Sequence, residues 1–185
     1  WNTATLSQAR SFIGATAAMN KVIFAGGSLS NGVASNRVDI YDYSTGTWSI
    51  DSISVARGFY HQTATVCGKA YFVGSGIFDG GWTYGTDTID VYDPVSGTWS
   101  IMKLPTKATE QAVVAMDSTL LISGGFYENN PPYGIALNTV EMFKDYICLY
   151  GVNVGRLPNE KNNHDLRLYP NPSSGNIHLE MSGDF

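Results

Sequence analysis

Arg37-Val-Asp-Ile-Tyr-Asp-Tyr-Ser-Thr-Gly-Thr-Trp-Ser49 returns, with few changes, as Thr88-Ile-Asp-Val-Tyr-Asp-Pro-Val-Ser-Gly-Thr-Trp-Ser100. Each copy reads as a strand alternating aliphatic residues with Asp, then Tyr-Asp, a turn, and a second strand opening on Thr-Trp. Gly46 and Gly97 fall where such a turn needs positive φ. Two copies in one chain put the search for internal repeats before any other reading. Trp1, Trp48 and Trp99 are 47 and 51 residues apart. Gly26-Gly27, Gly74-Ser75 and Gly124-Gly125 follow one another at offsets of 48 and 50. Both rulers give a period of about 50 residues.

Four short strands are expected in each period. The first spans Phe12–Met19, then Tyr60–Cys67, then Gln111–Met116. Tight turns follow at Asn20-Lys21, Gly68-Lys69 and Asp117-Ser118-Thr119. The second strand, Val22–Ala25, Tyr71–Val73 or Leu120–Ile122, is almost wholly apolar, which predicts burial on both faces. The glycine pair ends it, as where backbones approach closely. The third strand alternates (Val38, Asp39, Ile40; Ile89, Asp90, Val91; Val140, Glu141, Met142), and the fourth carries Trp48 or Trp99. The tryptophans, with Tyr41 and Tyr92, are expected to pack between neighbouring sheets. The third period departs from the pattern: Phe143 and Lys144 replace Tyr-Asp, and no Gly-x-Trp follows. Ile147–Val154 is one candidate for its fourth strand; an outer strand supplied from the start of the full protein is the other.

Composition narrows the function. The 185 residues carry a formal charge of −5, with no basic cluster to bind nucleic acid and no apolar run long enough to span a membrane. Cys67 and Cys148 make no disulfide framework; two separate small apolar residues are expected, with a single bridge in a secreted protein as the alternative. His61, His164 and His178 are the only histidines. No P-loop, zinc pair or nucleophile elbow is present, and no cofactor is expected. Asp79–Asp87 lacks the alternating oxygen ligands of a calcium loop and reads as a plain connection.

Arg10, Gly26-Gly27, Tyr41-Asp42 and Trp48, and again Arg57, Gly74, Tyr92-Asp93 and Trp99, resemble kelch repeats over roughly residues 1–143. The resemblance implies an all-β fold of kelch-type β-propeller blades, one four-stranded blade per repeat around a channel. Three repeats are too few to close a ring, so the chain is expected to be a fragment whose open first blade exposes apolar surface. Some kelch propellers are copper radical oxidases, so a copper or sugar-converting enzyme with its catalytic residues in missing blades is the alternative function. Such a site needs several His, and the repeats offer only His61.

Leu168-Tyr-Pro-Asn-Pro-Ser-Ser-Gly175, followed by the alternating Ile177, Leu179 and Met181, resembles the start of the C-terminal sorting domain of the bacterial type IX secretion system. That resemblance implies a small β-sandwich, truncated here, and names Leu168, Tyr169, Pro170, Asn171, Pro172 and Gly175 as the sorting signal. The expected organisation is propeller blades over 1–146, a degenerate strand and linker over 147–164, and the sorting-domain start over 165–185. It makes the secretion machinery a partner and places the protein outside the cell or on its surface.

Strand alternation puts the long connections Ser28–Asn36, Gly76–Asp87 and Phe126–Asn138 on one face. Phe78, Trp82, Tyr84, Phe126, Tyr127 and Tyr133 lie there, expected either to form a surface for a protein or glycan ligand or, for several of them, to fold back and cap the blades. Arg10, Arg57 and Lys107 precede the first strands on that face. They are expected either to bond neighbouring loops and blades or to attract an anionic group.

Overall fold

Each repeat forms an antiparallel sheet in sequence order. The computed structural model describes residues 1–59, 61–74, 76–79, 82–130, 133–145, 166–170 and 177–181. The first sheet is β1 (Gly14–Ala18), β2 (Lys21–Ala25), β3 (Ser35–Asp42) and β4 (Thr47–Arg57), in that order. The middle sheet orders β5 (Gln62–Val66), β6 (Lys69–Val73), β8 (Trp82–Asp93) and β9 (Thr98–Ala108), with β7 (Gly76–Asp79) paired to the start of β8. The third holds β10 (Ala112–Met116), β11 (Thr119–Ser123) and β14 (Val140–Lys144); β12 (Phe126–Asn130) and β13 (Tyr133–Ala136) form a separate hairpin. These sheets are consistent with incomplete kelch-type propeller blades.

The local chemistry explains the repeat. Two-residue turns join the first two strands of every sheet, with Met19, Cys67 and Asp117 at φ 53, 55 and 52°. The first two turns thus begin one residue earlier than Asn20-Lys21 and Gly68-Lys69. Between β3 and β4, Asp42 Oδ1 accepts from the amides of Ser44 and Thr45 at 2.9 and 3.3 Å. Asp93 Oδ1 accepts from Val95 and Ser96 at 2.9 and 3.4 Å. The Asp of Tyr-Asp is therefore a turn-builder. Gly46 and Gly97 close these turns at φ 68 and 70°. The next strand begins by placing Trp48 opposite Tyr41 and Trp99 opposite Tyr92.

Sheets stack face to face across two apolar seams. In the first, Ile23, Ala25, Val38, Ile40 and Ile53 of the first sheet meet Ala70, Phe72 and Tyr92 of the middle one, with Trp99 packed against them. In the second, Tyr71, Val73, Ile89, Val91 and Leu104 meet Leu120 and Ile122 of the third. Period-two alternation along β6 sends Ala70 and Phe72 one way and Tyr71 and Val73 the other. Full burial of a side chain such as Phe72 contributes about 2–3 kcal/mol. Only the middle sheet meets the expectation of burial on both faces. In β2 just Ile23 and Ala25 are buried, and in β11 just Leu120 and Ile122. As expected, Trp99 packs into a seam, whereas Trp48, on the uncovered face of the first sheet, is 41% exposed.

Cys67 is disulfide-bonded, which corrects the expectation of two separate apolar cysteines. Cys148, the chain's only other cysteine, lies outside the described residues, as do Ile147–Val154. Two units divide the chain, Trp1–Tyr150 and Gly151–Phe185. The second contains an antiparallel hairpin of β15 (Leu166–Pro170) and β16 (Ile177–Met181), with Leu168 opposite Leu179. Leu168, Tyr169 and Pro170 are thus on β15; Asn171, Pro172 and Gly175 lie outside the described residues. Among the described residues no helix is long and apolar enough to cross a membrane.

Candidate functional site

The turns β1–β2, β3–β4, β5–β6 and β8–β9 all leave one end of the sheets, and the connections after β2, β6 and β11 leave the other. Two of those three connections are hairpins. β7 pairs with the start of β8, placing Phe78 opposite Thr83 and Asp79 opposite Trp82. β12 pairs with β13, placing Tyr127 opposite Ile135 and Asn130 opposite Tyr133. The plain connection expected over Asp79–Asp87 is corrected by this: its residues extend the ladder of β8. Of the six aromatic candidates, Phe78, Trp82, Tyr84 and Tyr133 are placed by their backbone strands. Phe126 is exposed and lies over Gly134, where a Cβ would come within 3.3 Å of its own Cβ. Tyr127 is half-buried.

Two aromatic residues escaped the sequence reading. Phe12 is 59% exposed, at φ 54°, and its ring lies 5.0 Å from that of Phe59. Phe59 exchanges backbone hydrogen bonds with Gly76, the first residue of β7, at 3.1 and 2.6 Å. The pair therefore adjoins the β7–β8 hairpin. A bulky side chain at positive φ is uncommon and strained; only the repeat alignment with Glu110, at φ 58°, marks this position.

Arg10 and Arg57 take the structural alternative. The Arg10 side chain is fully buried, pairs with Asp39 and donates to the carbonyl of Arg37. Arg57, also fully buried, pairs with Asp90 and donates to the carbonyls of Gly74 and Thr88. Burial lowers both guanidinium pKa values, while the partner carboxylates oppose the shift. Removing one partner of such a pair costs about 3–5 kcal/mol, because the other charge stays buried. The acid also orders the preceding segment: Asp39 Oδ1 accepts from Ser7 N and Asp90 Oδ1 from Ser54 N, both at 2.8 Å. Lys107 does not continue the series. The residue at the arginine position is Ala108, the last of β9 as Arg57 is the last of β4. Pro105, without an N–H, replaces the serine, and Glu141 replaces the aspartate. Glu141 Oε2 is buried with no hydrogen-bond partner, and desolvation raises its pKa.

His61 is buried just before β5, so its role is packing. Nε2 lies 3.1 Å from the carbonyl of Ala25, and Nδ1 is buried without a partner. Desolvation, then the charge of Arg57, lowers its pKa to about 4. A Cβ on Gly14 would come within 2.4 Å of the ring and one on Gly26 within 3.1 Å, so both glycines make room for it. Gln111 stands at the same place in the third sheet, over Gly74, with Oε1 buried and unpartnered. Among the described residues no group of three or more His, Cys, Asp or Glu could hold a metal.

At the long-connection end of the first sheet lies a polar cavity of about 300 Å³. Gln8, Asn36, Arg37, Asp51 and Ser52 line it beside the Leu29–Asn36 connection. Gln8 accepts from Ser35 Oγ at 2.9 Å, and Asp51 Oδ2 accepts from Trp99 Nε1 at 2.9 Å. Arg37, unlike Arg10 and Arg57, has no ion-pair partner among the described residues.

No protein-family model matches the chain. It is similar to kelch-like protein terF of Aspergillus terreus, with 30% identity over 115 residues. The match covers 60% of this chain and 25% of that protein, so the chain spans about a quarter of its relative's length. With the four-stranded antiparallel sheets stacked at a period of about 50 residues, this likeness supports a partial kelch-type fold.

Proposed function

We propose that the chain is a recognition module, secreted or held at the cell surface, that binds a protein or glycan through its long-connection face. The observation that carries this reading is the aromatic surface of Phe12, Phe59 and Phe126 beside two hairpins bearing Phe78, Trp82, Tyr84, Tyr127 and Tyr133. Aromatic residues give large contact area at low entropic cost, and adaptable polar neighbours give specificity. The polar cavity beside Arg37 adds hydrogen-bonding groups of the kind a sugar or acidic side chain uses. Likeness to a kelch-like protein agrees with a role in protein interaction. Export by the type IX route is part of the proposal and rests on the Leu168–Gly175 signature. The disulfide at Cys67 supports an oxidising destination.

A binding screen of the chain against immobilised glycans and a panel of purified extracellular proteins tests the face. Trp82→Ala and Tyr127→Ala should each weaken capture of any hit at least about tenfold, with unchanged circular dichroism. Capture that survives both substitutions would show that the face is wrong.

A further inference from the structure

We propose that the cavity beside Arg37 is a subsite for a carboxylated sugar, a hexuronate ring whose carboxylate pairs with the Arg37 guanidinium. This deepens the glycan side of the function proposed above and rests on it. The cavity is built on a β-bulge. The register of β3 against β4 slips between Ser35 and Arg37, and the Arg37 amide donates to Ser35 Oγ at 3.1 Å. Such irregularities re-aim side chains, often beside a site. The middle sheet repeats the device: the register of β8 against β9 slips between Thr86 and Thr88, and the Thr88 amide donates to Thr86 Oγ1 at 3.1 Å. One backbone frame thus carries two sets of side chains, and the difference between them points to the chemistry of the ligand.

In the middle sheet the frame is filled and neutral. Lys103, opposite Thr88, extends Nζ to Asp87 Oδ1 at 2.7 Å and to Thr88 Oγ1 at 2.8 Å. In the first sheet Ser52 stands opposite Arg37 in place of Lys103, and Asn36 replaces Asp87. The short serine opens the cavity of about 300 Å³. That is the small end of the range for ligand sites, about 300–1,000 Å³, and suits a single sugar ring. Without an equivalent of Asp87, the half-buried Arg37 has no ion-pair partner among the described residues. Asp51, the carboxylate on the cavity wall, is already committed: Oδ1 accepts from Ser52 N at 2.8 Å and Oδ2 from Trp99 Nε1 at 2.9 Å. Stacked neighbours do not cover this place. The middle sheet has an apolar seam on each face, yet its Lys103 side chain is 61% exposed.

Arg37 selects the carboxylate, which a planar guanidinium holds by two parallel hydrogen bonds. The remaining wall selects the ring. Gln8 Oε1 accepts from Ser35 Oγ at 2.9 Å, which leaves the two N–H groups of its carboxamide for a ligand. The Asn36 carboxamide and the Ser52 hydroxyl, both on exposed residues, hold no hydrogen bond among the described residues. Together these groups offer donors and acceptors, and sugar hydroxyls use both. An Asp or Glu side chain brings a carboxylate alone and leaves them unused. Leu29 adds an apolar contact for the C–H face of a ring.

An NMR chemical-shift titration of the 185-residue chain with methyl glucuronoside tests the proposal, with methyl glucoside, acetate and an end-blocked aspartate as the other arms. The glucuronoside should shift the Arg37 Nε–H resonance and bind at least about tenfold more tightly than each of the other three. Arg37→Gln should abolish that preference. So should Asn36→Asp combined with Ser52→Lys, which installs the acid and base that the middle sheet already accommodates at Asp87 and Lys103. Both variants should keep the native circular dichroism. Equal affinity for methyl glucoside would remove the role of the carboxylate, and equal affinity for acetate or blocked aspartate would remove the sugar; either result overturns the proposal. So does glucuronoside binding that both variants leave intact, or none at all. If Trp82→Ala and Tyr127→Ala leave glycan capture unchanged while the glucuronoside still shifts Arg37, the aromatic face fails and the cavity stands. Glycan capture lost in those variants, with no response at Arg37 in the native chain, overturns the cavity alone.

Discussion

His61 shows how one buried side chain couples this fold to pH. Its pKa in the folded chain, about 4, lies below the ordinary value of 6.5. The unfolded chain therefore binds the additional proton between those values, and stability falls as pH drops from about 6.5 to 4. The loss is at most about 3 kcal/mol. Melting temperatures measured across that window should fall for the native chain more than for His61→Gln, which carries the residue found at Gln111. Equal slopes would mean that His61 does not hold this linkage. The burial of His61 was not legible in the sequence, because Gly14 and Gly26, which make room for it, precede it by 47 and 35 residues. Arg10 and Arg57 misled for the same reason: Asp39 and Asp90, 29 and 33 residues on, remove them from the surface. A charged residue is read as exposed until its partner is known.

At the scale of strands and turns the sequence was far more informative, because each position repeats under the same constraint. The glycine pairs illustrate two kinds of requirement. Gly27 has φ 103°, and a Cβ there would lie 2.6 Å from the carbonyl oxygen of Ser11; Gly125 repeats this against Thr109 at 2.4 Å. Gly46 has φ 68° with nothing within 4 Å. Gly46→Ala should therefore cost about 1 kcal/mol in backbone strain alone. Gly27→Ala should cost about 3 kcal/mol or more, since the backbone bridge between Ser11 and Ser28 must also shift. Urea midpoints would separate the two, and equal losses would remove the close-approach argument. What stayed hidden at this scale was the length of β4 and β9, 11 residues each, and the hairpins within the long connections. The apolar strands have a pattern that reports burial. Hairpins such as β12–β13 run through Asn, Pro and Gly, where composition points to a loop.

For the molecule as a whole, the period of about 50 residues made the sheet count and stacking order legible, and the apolar composition of the second strands made the seams so. It could not reveal that the seams differ. The first sheet and the middle one each carry a buried Arg–Asp pair, Arg10–Asp39 and Arg57–Asp90; the third has Ala108 and Glu141 in their place. Across the second seam, Asp145 Oδ2 lies 3.2 Å from Tyr71 Oη and 3.3 Å from Lys69 Nζ, and Cys67, in the turn between β5 and β6, is disulfide-bonded. The consequence is a cooperative unit whose extent depends on redox state. With the disulfide intact, the three sheets should open together. After reduction, the third should become a separate, less protected unit. Amide hydrogen exchange, read before and after reduction, should then show β10, β11 and β14 losing protection ahead of β1 to β4. A uniform loss across all three sheets would show instead that the polar contacts of Asp145 suffice to keep the chain a single unit.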